Sequence, residues 1–279
     1  MDKKAAYSLK ARILFALYAV LCLLFFSCMQ FPYHVVKPRV EGVLSRAARS
    51  EVSIGAITGR FPFGLKLEDL RIGNETVAPR LTVRPAFTSL LLGRLGLVVS
   101  VGQARGGLDV IIKTSFTHPG DPLALKFTLE EFDIAPLQKL MRGGPEIAGT
   151  VTGEGRLATE RANFKDSRGE IDITCKNGQL PLNMPALPLG GVAFTELNLK
   201  AVMENGRLEI RQMQLSGNDV SGSLFGDVRL GMNIMTSELD ISGNLRLSQA
   251  YRQMLGNPRA ESMRFRLQGT LGRPRLLQQ

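Results

Sequence analysis

Few side chains in this sequence could do chemistry. The 279-residue chain has two histidines, His34 and His118, and three cysteines, Cys22, Cys28 and Cys175. Neither histidine has a second histidine or a cysteine at ligand spacing, so no metal is expected. His118 falls in Thr117-His118-Pro119-Gly120-Asp121-Pro122, a turn by composition. The acidic neighbours Glu68-Asp69 and Glu130-Glu131 lie in alternating stretches, where adjacent residues point to opposite faces and do not converge on one substrate. Gly153-Glu154-Gly155 lies in a strand-like stretch with no helix after it, which excludes a dinucleotide loop. There is no P-loop and no G-x-S-x-G. These residues predict a protein that is not an enzyme and uses no cofactor. Cys175 is the lone cysteine beyond the N-terminal apolar segment and has the apolar parity of its stretch, so it is expected to behave as a small buried hydrophobe.

The elements that would position a site begin with that segment. Residues 13–31 read ILFALYAVLCLLFFSCMQF, without a charge. About 20 apolar residues span a bilayer as a helix, the one form in which an isolated segment satisfies its backbone in lipid. The expected anchor is carried by Ile13, Leu14, Phe15, Leu17, Val20 and Leu21, then by Leu23, Leu24, Phe25, Phe26 and Phe31. Residues 1–12 hold Lys3, Lys4, Lys10 and Arg12 against Asp2, which predicts a cytoplasmic N-terminus and a C-terminal region on the far side of the membrane. A cleaved signal peptide would need a shorter apolar run and a small-x-small site, and none follows. A lipoprotein signal would use Cys28, but Phe25-Phe26-Ser27 before it makes a poor lipobox. Residues 32–50 form a membrane-proximal linker, with helical spacing at Val40, Val43, Leu44 and Ala47 and a start expected at Pro38.

From residue 51 to 279 the dominant period is two, as in strands with one apolar and one wet face. Leu197, Leu199 and Met203 alternate with polar residues, as do Leu239, Ile241, Leu245 and Leu247, and again Phe265 and Leu267. These nine form the candidate apolar sheet face. Hairpin turns are predicted at Asn177-Gly178 and Asn205-Gly206, because type I′ turns need positive φ at both central residues. A third turn is expected at Gly217-Asn218-Asp219 and a bulge at Arg211-Gln212, where the apolar parity slips by one. Residues 125–157 and 239–274 look like a weak repeat. Each gives a strand, a short helix with an apolar face (Leu137, Leu140, Met141; Tyr251, Met254, Leu255), a Gly- and Pro-containing turn and a second strand. The fold class expected is mainly β: a transmembrane helix, then an elongated, curved antiparallel sheet with a few short helices. Its apolar face either closes into a core or stays an open trough for a lipid chain or a partner.

The net charge of +10 is spread thinly beyond the anchor flank, with no basic run and no aromatic interleaving. Nucleic-acid binding is not expected from that pattern.

One resemblance joins these features. The anchor is followed by Ile54-Gly55-Ala56-Ile57-Thr58-Gly59-Arg60-Phe61-Pro62-Phe63-Gly64-Leu65-Lys66-Leu67-Glu68-Asp69-Leu70, then by Leu81-Thr82-Val83-Arg84-Pro85 and Ser89-Leu90-Leu91-Leu92-Gly93. Ala104-Arg105-Gly106-Gly107 and Ile134-Ala135-Pro136-Leu137 come next. In this order the chain resembles the GspN proteins of type II secretion systems, in their delta-proteobacterial and leptospiral form, and more distantly the AsmA-like periplasmic proteins. The resemblance implies a Gram-negative inner-membrane protein with a periplasmic β domain, a non-enzymatic accessory of type II protein secretion whose partners are other secretion components. The AsmA-like side of it implies a lipid-binding or lipid-transfer module.

Overall fold

The structure, a computed structural model, describes residues 3–278 apart from 32, 49, 61–62, 74, 92, 116–122, 139–147, 160–165, 185–186, 232–235 and 255–261. His118, Leu140, Met141 and Leu255 therefore lie outside the described residues. The chain divides into two compact units, Met1–Pro85 and Ala86–Gln279.

The first unit runs α1 (Lys3–Gln30), α2 (Tyr33–Ala48), β1 (Val52–Arg60), β2 (Gly64–Ile72) and β3 (Glu75–Pro85). In α1 the apolar side chains stand out to solvent all round: Leu14 is 69% exposed, Phe15 73% and Leu23 66%. Among the residues whose side chains are described, no helix is long and apolar enough to cross a membrane. In α1 that description is unbroken only from residue 11 to 23, and the side chain of Leu24 is not part of it.

The linker helix departs from expectation. It starts at Tyr33, so Pro38 lies inside it and not at its beginning. A proline there removes the hydrogen bond to the His34 carbonyl. Tertiary contacts hold the extra turn nonetheless. The Tyr33 hydroxyl occupies the space a Cβ on Gly59 would need, at 1.9 Å from that position, and Lys37 Nζ donates to the Gly55 carbonyl at 3.1 Å. One turn apart, Lys37, Glu41 and Ser45 line the side of α2 that meets β1. Glu41 accepts from the Ile54 amide at 2.8 Å and Ser45 Oγ from the Val52 amide at 2.9 Å. The edge of β1 that β2 leaves open is thereby capped.

The second unit begins with α3 (Phe87–Leu91), β4 (Arg94–Gly102), β5 (Gly107–Ser115), β6 (Leu123–Asp133), α4 (Ala135–Gln138), β7 (Ala148–Thr159) and β8 (Arg168–Met184). It continues with β9 (Leu187–Glu204), β10 (Arg207–Ser216), β11 (Val220–Arg229), β12 (Glu238–Leu247), α5 (Gln249–Met254), β13 (Ser262–Thr270) and β14 (Arg273–Gln278). Within each unit the strand order is the chain order and every described pairing is antiparallel, which makes a meander. The sheet of the second unit is open, since β4 and β14 do not pair with each other.

Turn chemistry explains most of the connections. Asn205 and Gly206 have φ of 50° and 72° and join β9 to β10 in a two-residue turn. The parity slip at Arg211-Gln212 is a bulge, visible as a register shift between Ile210 and Met213. Asn177-Gly178 is a correction. It is not a hairpin turn, because β8 runs straight through it to Met184. Asn177 spends its positive φ of 50° on a distortion within the strand, and Gly178 lets the Phe194 ring lie against the backbone, where a Cβ would be 2.1 Å from Cζ. The acidic pairs also sit on irregularities: Asp69 and Glu131 both have positive φ, and the β6–β7 register shifts between Leu129 and Phe132. Gly153-Glu154-Gly155 is strand throughout, in the middle of β7.

Candidate functional site: an apolar sheet face

Cross-strand partners in an antiparallel sheet point to the same side, so register assigns each side chain to a face. Leu197, Leu199 and Met203 of β9 lie opposite Leu215, Met213 and Leu208 of β10. Those lie opposite Gly222, Leu224 and Val228 of β11, which in turn face Leu245, Gly243 and Leu239 of β12. Ile241 faces Leu267, and Gly243 faces Phe265. Leu247 faces Val220 on the same side. The structure thus brings the nine candidate residues together on one face.

That face extends beyond them. Through β8 and β7 it carries Ile171, Ile173, Cys175, Val151 and Leu157, and on β6 Leu125, Phe127, Leu129 and Phe132. Through β5 and β4 it carries Leu108, Val110 and Ile112, then Leu97, Val99 and Val101. From β4 to β13, among the described residues, register places no charged side chain on it. The β4 and β5 positions have no clear signature in sequence, because Val98, Val99, Val110 and Ile111 make both parities apolar.

Packing on this face is uneven. Towards one end of β7–β13, Val151, Cys175, Phe194, Leu215, Val220, Leu245 and Phe265 form a buried cluster. A smaller one joins Ile210, Val228 and Leu239. At the β4 side the face is open: Leu95 is 44% exposed and Leu97 39%. Among the described residues no helix lies along it. Helix α3 packs on β4 from the other side, over Gly96, while α4 and α5 make no extended packing against a strand. Glycines keep the face close to its aromatic rings. A Cβ on Gly155 would lie 2.4 Å from the Phe127 ring.

The opposite face is polar and laced with ion pairs. Lys200 meets Asp172 at 3.1 Å and Arg207 meets Asp227 at 2.7 Å. Arg266 grips Asp240 through two hydrogen bonds of 2.7 Å, a fork that lowers the Asp240 carboxyl below its usual range and raises the guanidinium. Cys175 is buried as the parity predicted, and burial pushes its thiol pKa up. His34 is exposed on α2. Among the described residues no group of three or more His, Cys, Asp and Glu side chains could hold a metal.

Fold and site together define a mainly β protein built around an open meander with one apolar and one charged face. No protein-family model matches the chain, and no curated protein or solved structure matches it significantly.

Proposed function

We propose that this chain is a membrane-tethered, non-enzymatic protein that shields lipid acyl chains along the apolar face of its second unit. The observation that carries this reading is the uncharged face running from β4 to β13, with Leu95 and Leu97 exposed at its β4 side. A surface without charged side chains, on which register places only scattered threonines such as Thr114 opposite Leu95, discriminates mainly by apolarity, and hydrocarbon is the matching ligand. Each methylene withdrawn from water onto such a face contributes about 0.8 kcal/mol. The exposed apolar sleeve of α1 supports a bilayer-crossing anchor over residues 13–31, which would hold the sheet beside a source of lipid. With the basic residues 1–12 on the cytoplasmic side, the sheet would stand in the periplasm.

A photo-crosslinking side chain tests this directly. Placed at Leu97 of the full chain in its native membrane, it should give lipid adducts detectable by mass spectrometry. Placed at Phe225, which is 59% exposed on the polar face, it should give few or none. Equal labelling at both positions, or none at Leu97, removes the proposal.

A second reading follows from the resemblance of the anchor and the stretches after it, 54–70, 81–85, 89–93, 104–107 and 134–137, to the GspN proteins: an accessory subunit of type II secretion in the inner membrane. Deleting the gene would then strand secreted proteins in the periplasm and leave lipid composition unchanged, whereas unaltered secretion would discard this reading.

A further inference from the structure

The polar face of the second unit holds a concavity of about 630 Å³ whose charges are left unbalanced. Its floor is a pair of small residues, Ala124 of β6 directly opposite Ala158 of β7. Four cations ring that floor. Lys113 lies opposite Ala124, and Arg168 lies opposite Ala158. Lys126 and Arg156 face each other on the next row. Arg211, from the β10 bulge, also reaches the concavity.

Two like charges set directly across a strand pair destabilise a sheet. The fold meets that problem elsewhere and solves it internally. Arg207 faces Arg229, and Asp227 faces Asp240, yet Arg207 pairs with Asp227, Arg229 with Glu238 and Asp240 with Arg266. In the ring, among the described residues, Lys126 is the one cation held in an ion pair, with Glu154 at 3.5 Å. Among the described residues Lys113, Arg156 and Arg168 form no ion pair, although Glu170 and Glu204 lie in register with the two arginines. Five basic side chains line the concavity against those two carboxylates.

We infer that this concavity binds a ligand carrying two or more phosphate groups. Strand spacing puts Lys113 and Arg168 about 14 Å apart at the backbone, and the two rows about 7 Å apart. One phosphate would satisfy two of the four cations, and two linked phosphates would satisfy all of them. Arginine presents paired donors that match phosphate oxygens. The alanine floor leaves room for the ligand, and Ile111 and Val202 beside it give an apolar contact for the body that carries the phosphates. The site lies on the face opposite the proposed lipid surface and stands or falls independently of it.

Isothermal titration of the full chain in a nonionic detergent tests the site with two probes, inorganic pyrophosphate and a short-chain lipid bearing two headgroup phosphates. Saturable micromolar binding of at least one probe is expected. Arg156→Gln and Arg168→Gln should each weaken it at least tenfold, while Lys200→Gln, on the same face outside the ring, stays within twofold. Pyrophosphate binding as tight as the lipid identifies a soluble ligand, and a tenfold preference for the lipid identifies a headgroup. The inference is overturned if neither probe binds at millimolar concentration. It is overturned equally if the arginine variants bind like the parent, or if Lys200→Gln loses as much as they do. Melting curves accompany each variant, and Lys113→Gln replaces any arginine variant that fails to fold.

Discussion

Glu41 of α2 accepts a hydrogen bond from the backbone amide of Ile54, the second strand residue of β1 whose outward N–H is met by a helix side chain. An unpaired strand edge invites another chain to add to it, and here a helix occupies that edge with side chains in place of a strand. Glu41→Ala should cost about 1–2 kcal/mol, the loss expected when a partly buried donor is left without a partner. It should also raise self-association. Thermal unfolding and light scattering of the variant check both, and an unchanged melting temperature with unchanged scattering would mean that water caps the edge equally well.

Gly178 tests why β8 continues where a turn was expected. Gly178→Ala puts a methyl 2.1 Å from Phe194 Cζ, inside the buried cluster. Overpacking of this kind typically costs about 1–3 kcal/mol. The double variant Gly178→Ala/Phe194→Leu should recover part of it in denaturant titrations. No recovery would locate the strain in the backbone of the irregularity instead.

The Arg266–Asp240 fork gives a pH dependence of known sign. The Asp240 carboxyl is held below its usual range in the folded state, so its contribution is complete above the ordinary carboxylate range and fades as pH falls through the lowered value. Melting temperatures of the parent and Asp240→Asn should differ at pH 7 and converge in acid. Divergence on acidification would contradict the assignment.

Leu97→Asp separates an open face from a closed core. Leu97 is 39% exposed, so a carboxylate there keeps its hydration and the fold should survive, while co-purifying lipid falls. Ile210, 7% exposed on the same face, should not tolerate aspartate at all. Circular dichroism with lipid mass spectrometry reads the contrast.

Cys175 should resist thiol reagents until the chain unfolds, because it is 4% exposed and its thiolate is disfavoured by burial. In a chain with Cys22 and Cys28 replaced by serine, one thiol should titrate only in denaturant.

Local chemistry was readable from residue order. The Asn205-Gly206 turn, the bulge at Arg211-Gln212 and the shared parity of Leu197, Leu199, Leu239 and Ile241 all follow from neighbours a few positions apart. What sequence hid depends on contacts between distant segments. Asn177-Gly178 has the same turn chemistry as Asn205-Gly206, yet β8 continues through it, with Phe194 of the neighbouring strand seated directly on Gly178. Pro38 looks like a helix start until Tyr33 is seated on Gly59. Lys126 and Arg156 stand far apart in the chain, and only strand register makes them neighbours.

Because within each unit every strand pairs with its neighbours in the chain, almost every strand contact there is made with sequence formed moments earlier. Such an arrangement can assemble like a zipper, one hairpin at a time, as the polypeptide emerges, and it never waits for a distant partner. The same locality lets evolution lengthen or shorten the protein by whole hairpins, adjusting its reach while the rest of the architecture is left undisturbed.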